Sequence, residues 1–125
     1  MKGIIAVNRK GYIGLNGKLP WHSSDDLLHF KSLTIGCKLL VGYNTANSLP
    51  VLKEREIFVC GRNMPIIDYT KIDWCIGGRK TYEKFCHLFD ELHISHIDNA
   101  VEGDIEYPEF KSLRPECKIY HYYFK

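Results

Sequence analysis

The chain has 125 residues, with 17 basic side chains against 15 acidic ones and a formal net charge of +2. That length holds one domain with its own core and is short for two, so residues 1–125 are expected to fold as a single unit. Hydrophobic residues make up 45% of the chain, with no Pro-, Ser- or charge-rich run to mark a linker, and the lack of a basic block argues against nucleic acid as a partner.

The longest apolar stretches, such as Gly3 to Val7 and Leu39 to Gly42, are far too short to cross a bilayer, so no membrane association is expected. The amino terminus enters a strand-like run almost at once, without a secretory leader, and a cytoplasmic location is the simplest reading. Cys37, Cys60, Cys75, Cys86 and Cys117 contain no C-x-x-C pair. Reduced, mostly buried thiols are therefore expected, rather than a disulfide framework or a zinc site. His93 and His96 stand three apart in a strand-like run and should point to opposite faces, which leaves no metal site expected.

In chain order, Gly3-Ile4-Ile5-Ala6-Val7 predicts a central strand, and Asn8-Arg9-Lys10-Gly11 a polar turn. Gly11 to Pro20, with Gly14 and Gly17 inside it, predicts a flexible loop whose Ile13, Leu15 and Leu19 need a surface to cover. Ser23 and Asp26 have roughly the spacing of a capping box and open a helix. Leu27, Phe30, Leu33 and Thr34 then fall near one side, with Asp26 one turn before Phe30, and Gly36 ends the element. Lys38 to Val41 predicts a second strand, with a helix beginning near Asn44 and Thr45. Glu56 to Cys60 predicts a third strand, and Ile66-Ile67 adds a short one. Trp74-Cys75-Ile76 is the next strand, followed by Gly77-Gly78 and a helical pattern from Lys80 to Phe89. Leu92 to Ile97 and the aromatic run Ile119 to Phe124 complete the strands. Strands alternating with short helices predict a sheet covered on both faces.

Two sites stand out on residue chemistry. Gly77-Gly78, between a strand and a helix and followed by Arg79 and Lys80, permits close backbone approach to a phosphate, although a tight turn with solvated cations explains the same stretch. No G-x-G-x-x-G follows the first strand, so a Rossmann assignment is unsupported. Asp26, just above an apolar helical face, is suited to acid work in a cleft, with helix capping as the competing reading. Arg55 could receive a carboxylate through its fork of donors, while an isolated arginine is more often surface charge.

Several pieces then occur in one order: Gly3 to Val7 continuing to Tyr12-Ile13-Gly14; Leu19-Pro20-Trp21; Asp26-Leu27 with Phe30-Lys31 and Thr34; Ile76-Gly77-Gly78 through Lys80 to Tyr82; His96-Ile97-Asp98; Glu102-Gly103-Asp104 with Tyr107-Pro108. From the first strand to about Pro108 this pattern resembles dihydrofolate reductase, with a weaker match in the last aromatic strand. The resemblance implies an α/β fold, a central mixed, mostly parallel sheet flanked by helices. It also implies NADPH-dependent reduction of 7,8-dihydrofolate, with a hydride delivered to C6 and protonation at N5.

On that resemblance Asp26 grips the pterin 2-amino group and N3 as the ionisable group of the pocket. Trp21 helps hold an ordered water, and Ser95 replaces the family's threonine beside the carboxylate. Ile4, Ile5, Ala6, Leu27, Phe30 and Ile76 border the pterin, Phe30 and Leu49 the aminobenzoyl ring, and Arg55 the glutamate α-carboxylate. Ala6, Ile13 and Gly14 flank nicotinamide. Asn44, Thr45 and the Gly77-Gly78 turn, where the family has a cis peptide, approach ribose and pyrophosphate, with Arg79 and Tyr82 in the same segment. Arg62 and Lys80 meet a 2′-phosphate. Dihydrofolate and folate analogues are the expected ligands, and a monomer the expected state, with a homodimer as the alternative.

The chain also departs from the family. Gly42-Tyr43-Asn44-Thr45-Ala46 stands where Gly-Arg-x-Thr-Trp is common. This removes one phosphate contact and loosens the preference for NADPH over NADH. The Arg62 to Trp74 segment and the chain beyond Pro108 are short, so a reduced adenosine side and a curtailed C-terminal hairpin are expected. The alternatives are a catalytically weak binding or structural derivative of the fold, and a riboflavin-pathway pyrimidine reductase.

Overall fold

The computed structural model describes residues 1–15, 19, 21–61 and 68–125. Strands β1 (Lys2–Asn8), β3 (Lys38–Gly42), β4 (Glu56–Cys60), β5 (Trp74–Cys75), β6 (Glu91–Ile97) and β8 (Lys118–Phe124) form one sheet in the order β4-β3-β5-β1-β6-β8. Strands β2 (Tyr12–Gly14) and β7 (Ile105–Glu106) form a separate antiparallel ribbon. Helices α1 (Ser24–Thr34), α2 (Tyr43–Ser48) and α3 (Arg79–Phe85) accompany them.

β1 is central because its apolar run satisfies both faces at once. Successive side chains of a strand alternate in direction. Ile4 joins Leu39 and Trp74 in a cluster on which Phe30 and Leu33 of α1 pack. Ile5 and Val7 join Leu40, Cys75, Tyr82, Phe85, Phe89 and Leu92 on the other side. Burying each such side chain contributes roughly 1.5–3 kcal/mol, so the two clusters fix the register of the sheet.

The mostly parallel sheet inferred from the sequence is present, and every pairing within the six-stranded sheet is parallel. The antiparallel component lies in the β2–β7 ribbon. In place of a terminal hairpin, β8 runs parallel to β6 along its whole length, from Glu91↔Lys118 to Ile97↔Phe124. The crossover between them contains no helix among the described residues, yet Tyr107, Phe110, Leu113 and Cys117 pack on the larger cluster. Aromatic side chains thus cover a sheet face that a crossover helix would otherwise cover.

Three local expectations change. Part of the 11–20 stretch is strand, not loop: the Asn8 side chain accepts from the Lys10 and Tyr12 amides at 3.2 and 3.0 Å, and turns β2 towards β7. Its partner lies about ninety residues away, beyond the reach of local pattern. In α1 the inward stripe is Asp26, Phe30, Leu33 and Thr34, while Leu27 stands on the flank, 46% exposed. α3 ends at Phe85, and a single 3-10 turn over Cys86–Leu88 delivers Phe89 into the core against Leu92. The expected strand at Ile66-Ile67 lies outside the described residues. No helix among the described residues is long and apolar enough to cross a membrane.

A methyl group at Gly3 would collide with the Phe89 ring. Gly3→Ala should therefore lower unfolding free energy by about 1–3 kcal/mol in urea titrations, and Phe89→Leu in the same chain should restore part of the loss.

Candidate active site

The first turn of α1 holds the one buried carboxylate of the sheet's α1 side among the described residues. Ser23 caps the helix, its hydroxyl accepting from the Asp26 amide at 3.2 Å, which sets where the helix begins and which residue turns inward. Beneath it, Ser95 of β6 pairs in register with Ala6 of β1 and is 2% exposed. The Ser95 hydroxyl donates to the Asp26 carboxylate. Burial drives the Asp26 carboxyl above its ordinary range, and the Ser95 hydrogen bond and His29 act in the opposite direction without cancelling it.

Trp21 is also buried, and its indole Nε1 has no hydrogen-bond partner among the described residues. Ile4 and Ile5 are buried in the sheet, Ala6 is half-buried, and Phe30 and Ile76 pack half-buried against the cluster of Ile4, Leu39 and Trp74. Exposed Leu27 and half-buried Leu49 are apolar surface left over after the core is filled. Arg55 is tied to the far end of the same helix: its Nη1 donates to Thr34 Oγ1 at 3.3 Å and its Nε to the Lys53 carbonyl at 2.9 Å. Eight residues of helix separate Asp26 from Thr34, about 12 Å along the axis at 1.5 Å per residue.

A second group gathers at the carboxyl ends of β3 and β5. The Gly42 amide donates to the Gly77 carbonyl at 2.7 Å, joining the turn before α2 to the turn before α3. The Gly77-Gly78 peptide is cis, and Gly77 has φ +112°, a conformation that glycine tolerates. A side chain at Gly42 would strike the Thr81 hydroxyl, and a Cβ at Gly78 would lie 2.7 Å from Thr45 Oγ1. Backbone and hydroxyls are thereby left bordering a shallow cradle. Asn44 and Lys80 are exposed and Thr45 is half-buried, while Arg79 sits 3.7 Å from Glu83. Tyr82 is buried under Gly77 with its hydroxyl donating to the Ile4 carbonyl at 2.6 Å, so it supports the turn from beneath. Ile13 packs on the larger cluster and Gly14 is buried in β2. Arg62 lies outside the described residues.

Sequence reasoning missed His29. It lies one turn beyond Asp26 in α1 and its ring meets Tyr122 and Phe124 of β8, with centroids 4.1 and 5.4 Å apart. The i, i+3 spacing from Asp26 was the available signal.

A desolvated acid, apolar neighbours, a cation tied to the far end of the same helix and glycine turns at neighbouring strand ends are thus carried by one α/β scaffold. Residues 1–74 match the family model described as dihydrofolate reductase. Dihydrofolate reductase type 15 of Escherichia coli is 34% identical over 88% of this chain and 83% of its own length. Type 9 of the same organism is 30% identical over 82% and 73%. Among solved structures, dihydrofolate reductase from Enterococcus faecalis complexed with NADP(H) and RAB-propyl superposes with a TM-score of 0.76 at 27% identity, covering 88% of this chain and 77% of that one. The chain belongs to the dihydrofolate reductase family.

The Asp26 environment has a thermodynamic consequence. Because the folded state raises the carboxyl pKa, it binds more protons than the unfolded chain, so this group's contribution to stability falls as pH rises from below the unfolded value to above the folded one. Asp26→Asn should therefore raise the melting temperature of the ligand-free protein at neutral pH. The difference from the unsubstituted protein should shrink as pH falls through that window, as followed by thermal unfolding in matched buffers.

Proposed function

We propose that Asp26 is the acid group with which this enzyme carries out NADPH-dependent reduction of 7,8-dihydrofolate to 5,6,7,8-tetrahydrofolate. The observation that carries this reading is a carboxylate buried between α1 and the sheet, on a residue whose amide donates to the Ser23 cap, hydrogen-bonded by Ser95 and raised by burial. A carboxyl raised above its ordinary range keeps its proton to higher pH than a solvated one, the direction that general acid catalysis calls for.

In this reading Asp26 accepts from the pterin 2-amino group and N3, orients the ring and favours the proton at N5. Protonation there makes C6 more electrophilic. Ser95 holds the carboxylate at its angle, and the unpartnered Trp21 Nε1 is a donor for a water shared with the pterin. Ile4, Ile5, Ala6, Leu27, Phe30 and Ile76 border the pterin, with Phe30 and Leu49 against the aminobenzoyl ring. Arg55, aimed by Thr34 and Lys53, receives the glutamate α-carboxylate.

The residues present fit the cofactor on its phosphate side: the close approach of Gly42 to Thr81, of Gly78 to Thr45 and of Gly77 to Tyr82 leaves a cradle that any Cβ would fill. NADPH, when bound, supplies the hydride. Thr45, Asn44 and the Gly77-Gly78 turn would hold its ribose and pyrophosphate, Arg79 and Lys80, together with Arg62, its phosphate charge, and Ala6, Ile13 and Gly14 its nicotinamide, with Tyr82 supporting the turn. Acid, apolar and cradle residues all come from this chain, which supports action as a single-domain monomer. A cytoplasmic location fits the same reading.

Asp26→Asn should cut the folate-dependent fall in NADPH absorbance roughly 10²-fold or more near neutral pH. Retention of full activity by the folded variant would remove Asp26 from the role. Arg55→Ala should instead act mainly on KM for dihydrofolate, raising it about 10-fold, the loss expected for a charge-assisted hydrogen bond.

A further inference from the structure

A dinucleotide laid along the carboxyl ends of parallel strands has two ends to hold. With its nicotinamide at Ala6 of β1 and its pyrophosphate at the turns after β5 and β3, the strand order β4-β3-β5-β1 fixes where the rest must go. Continuing in the same direction brings the adenosine half to the ends of β3 and β4. Neighbouring strands lie about 4.8 Å apart, so β1 to β4 is a span of about 14 Å, which an extended dinucleotide crosses.

Tyr43 stands at that end. Gly42 and Cys60 are the last residues of β3 and β4 and are paired in register, so Tyr43 and Gly61 follow them side by side. A Cβ built at Gly61 would lie 3.8 Å from Tyr43 Cβ and 4.0 Å from its Cδ2, in ordinary van der Waals contact. Gly61 thus supports the tyrosine with backbone alone, and 61% of Tyr43 stays exposed beyond that contact. On its other side in sequence, the Gly42 amide is bonded to the Gly77 carbonyl at 2.7 Å. The aromatic residue is therefore held one position away from the bond that joins the two glycine turns. Helix α2, Tyr43-Asn44-Thr45-Ala46-Asn47-Ser48, carries no charged side chain. What it offers a ligand is one flat ring, amides and hydroxyls, which suit a planar base and a sugar better than a phosphate.

We propose that Tyr43 is the binding residue for the adenosine half of the cofactor, an aromatic platform on which the adenine ring of NADPH stacks. The ring face reads the base and not the 2′-phosphate, so Tyr43 strengthens NADPH and NADH by the same factor. Discrimination between the two cofactors falls to the cations alone, and Arg79, 3.7 Å from Glu83, has part of its charge offset already. The inference rests on the glycine turns as the pyrophosphate site, and it needs neither Asp26 nor turnover.

Isothermal titration calorimetry with NADPH and with NADH tests it on the unsubstituted protein, Tyr43→Leu and Tyr43→Phe. Loss of a base-to-ring stack should weaken both cofactors roughly 10-fold in Tyr43→Leu. Tyr43→Phe keeps the ring face and should keep both affinities. Unchanged NADPH affinity in Tyr43→Leu would remove Tyr43 from the cofactor site while leaving that site in place. A loss in Tyr43→Phe confined to NADPH would make the phenol a phosphate contact and overturn the stacking. NADPH that fails to bind the unsubstituted protein would overturn the cofactor reading as a whole and this inference with it.

Proton NMR of bound NADPH separates stacking from a structural effect of the substitution. The adenine H2 and H8 resonances should move downfield in Tyr43→Leu, as the ring current of Tyr43 is lost, while the nicotinamide resonances keep their positions. Adenine resonances that stay in place, or a shift of both ends of the cofactor together, would overturn the proposal.

Discussion

Keeping a carboxylate out of water is the demand around which one side of this molecule is arranged. Taking an ionised carboxylate out of water is costly unless hydrogen bonds and charges repay it. Here the repayment comes from elements distant in sequence: the Ser23 cap fixes the helix start, Ser95 rises from the middle of the sheet, and His29 is held by the last strand. The repayment is incomplete, and burial still holds the carboxyl above its ordinary range. That residual imbalance lets this carboxyl keep its proton to a higher pH than a solvated one.

The other side is arranged by close approach. Parallel strands β3 and β5 run side by side with Leu40 beside Cys75, so the residues that follow stay adjacent and the Gly42 amide reaches the Gly77 carbonyl. Such contact tolerates no side chain at Gly42, where one would strike the Thr81 hydroxyl. Tyr82 ties this cradle to the central strand by donating across to the Ile4 carbonyl of β1. The buried tyrosine hydroxyl is satisfied, as burial requires, and the two halves of the site become mechanically joined.

The short carboxyl-terminal part is held by aromatic packing. Phe110 lies near Tyr82, Phe89 and Tyr107, with ring centroids 6.1, 6.5 and 5.4 Å away, and these contacts cover the larger cluster where the crossover has no helix. Beyond it, β8 places Tyr122 and Phe124 behind α1 and ties Tyr122 to His93, whose other ring nitrogen meets Glu91. The last strand thus completes the rear of the acid site as well as the sheet edge.

Much of this was legible in the chain. The continuous apolar run of β1, the Ser23 and Asp26 spacing, and the two glycines between strand and helix are local signals whose physics acts within a few residues. The family resemblance added the order that joins them, including the pairing of Ser95 with Asp26. Tertiary structure decided what depended on contacts far along the chain. β2 exists because Asn8 turns it onto a partner about ninety residues away. Leu27 lies on the flank because Asp26, Phe30 and Leu33 take the sheet-facing stripe of α1. β8 is parallel because its alignment with β6 is set by the crossover and the sheet, not by its own aromatic pattern. His29 gained its place beside the acid only when β8 closed against α1, since a histidine's environment is fixed by its neighbours in space.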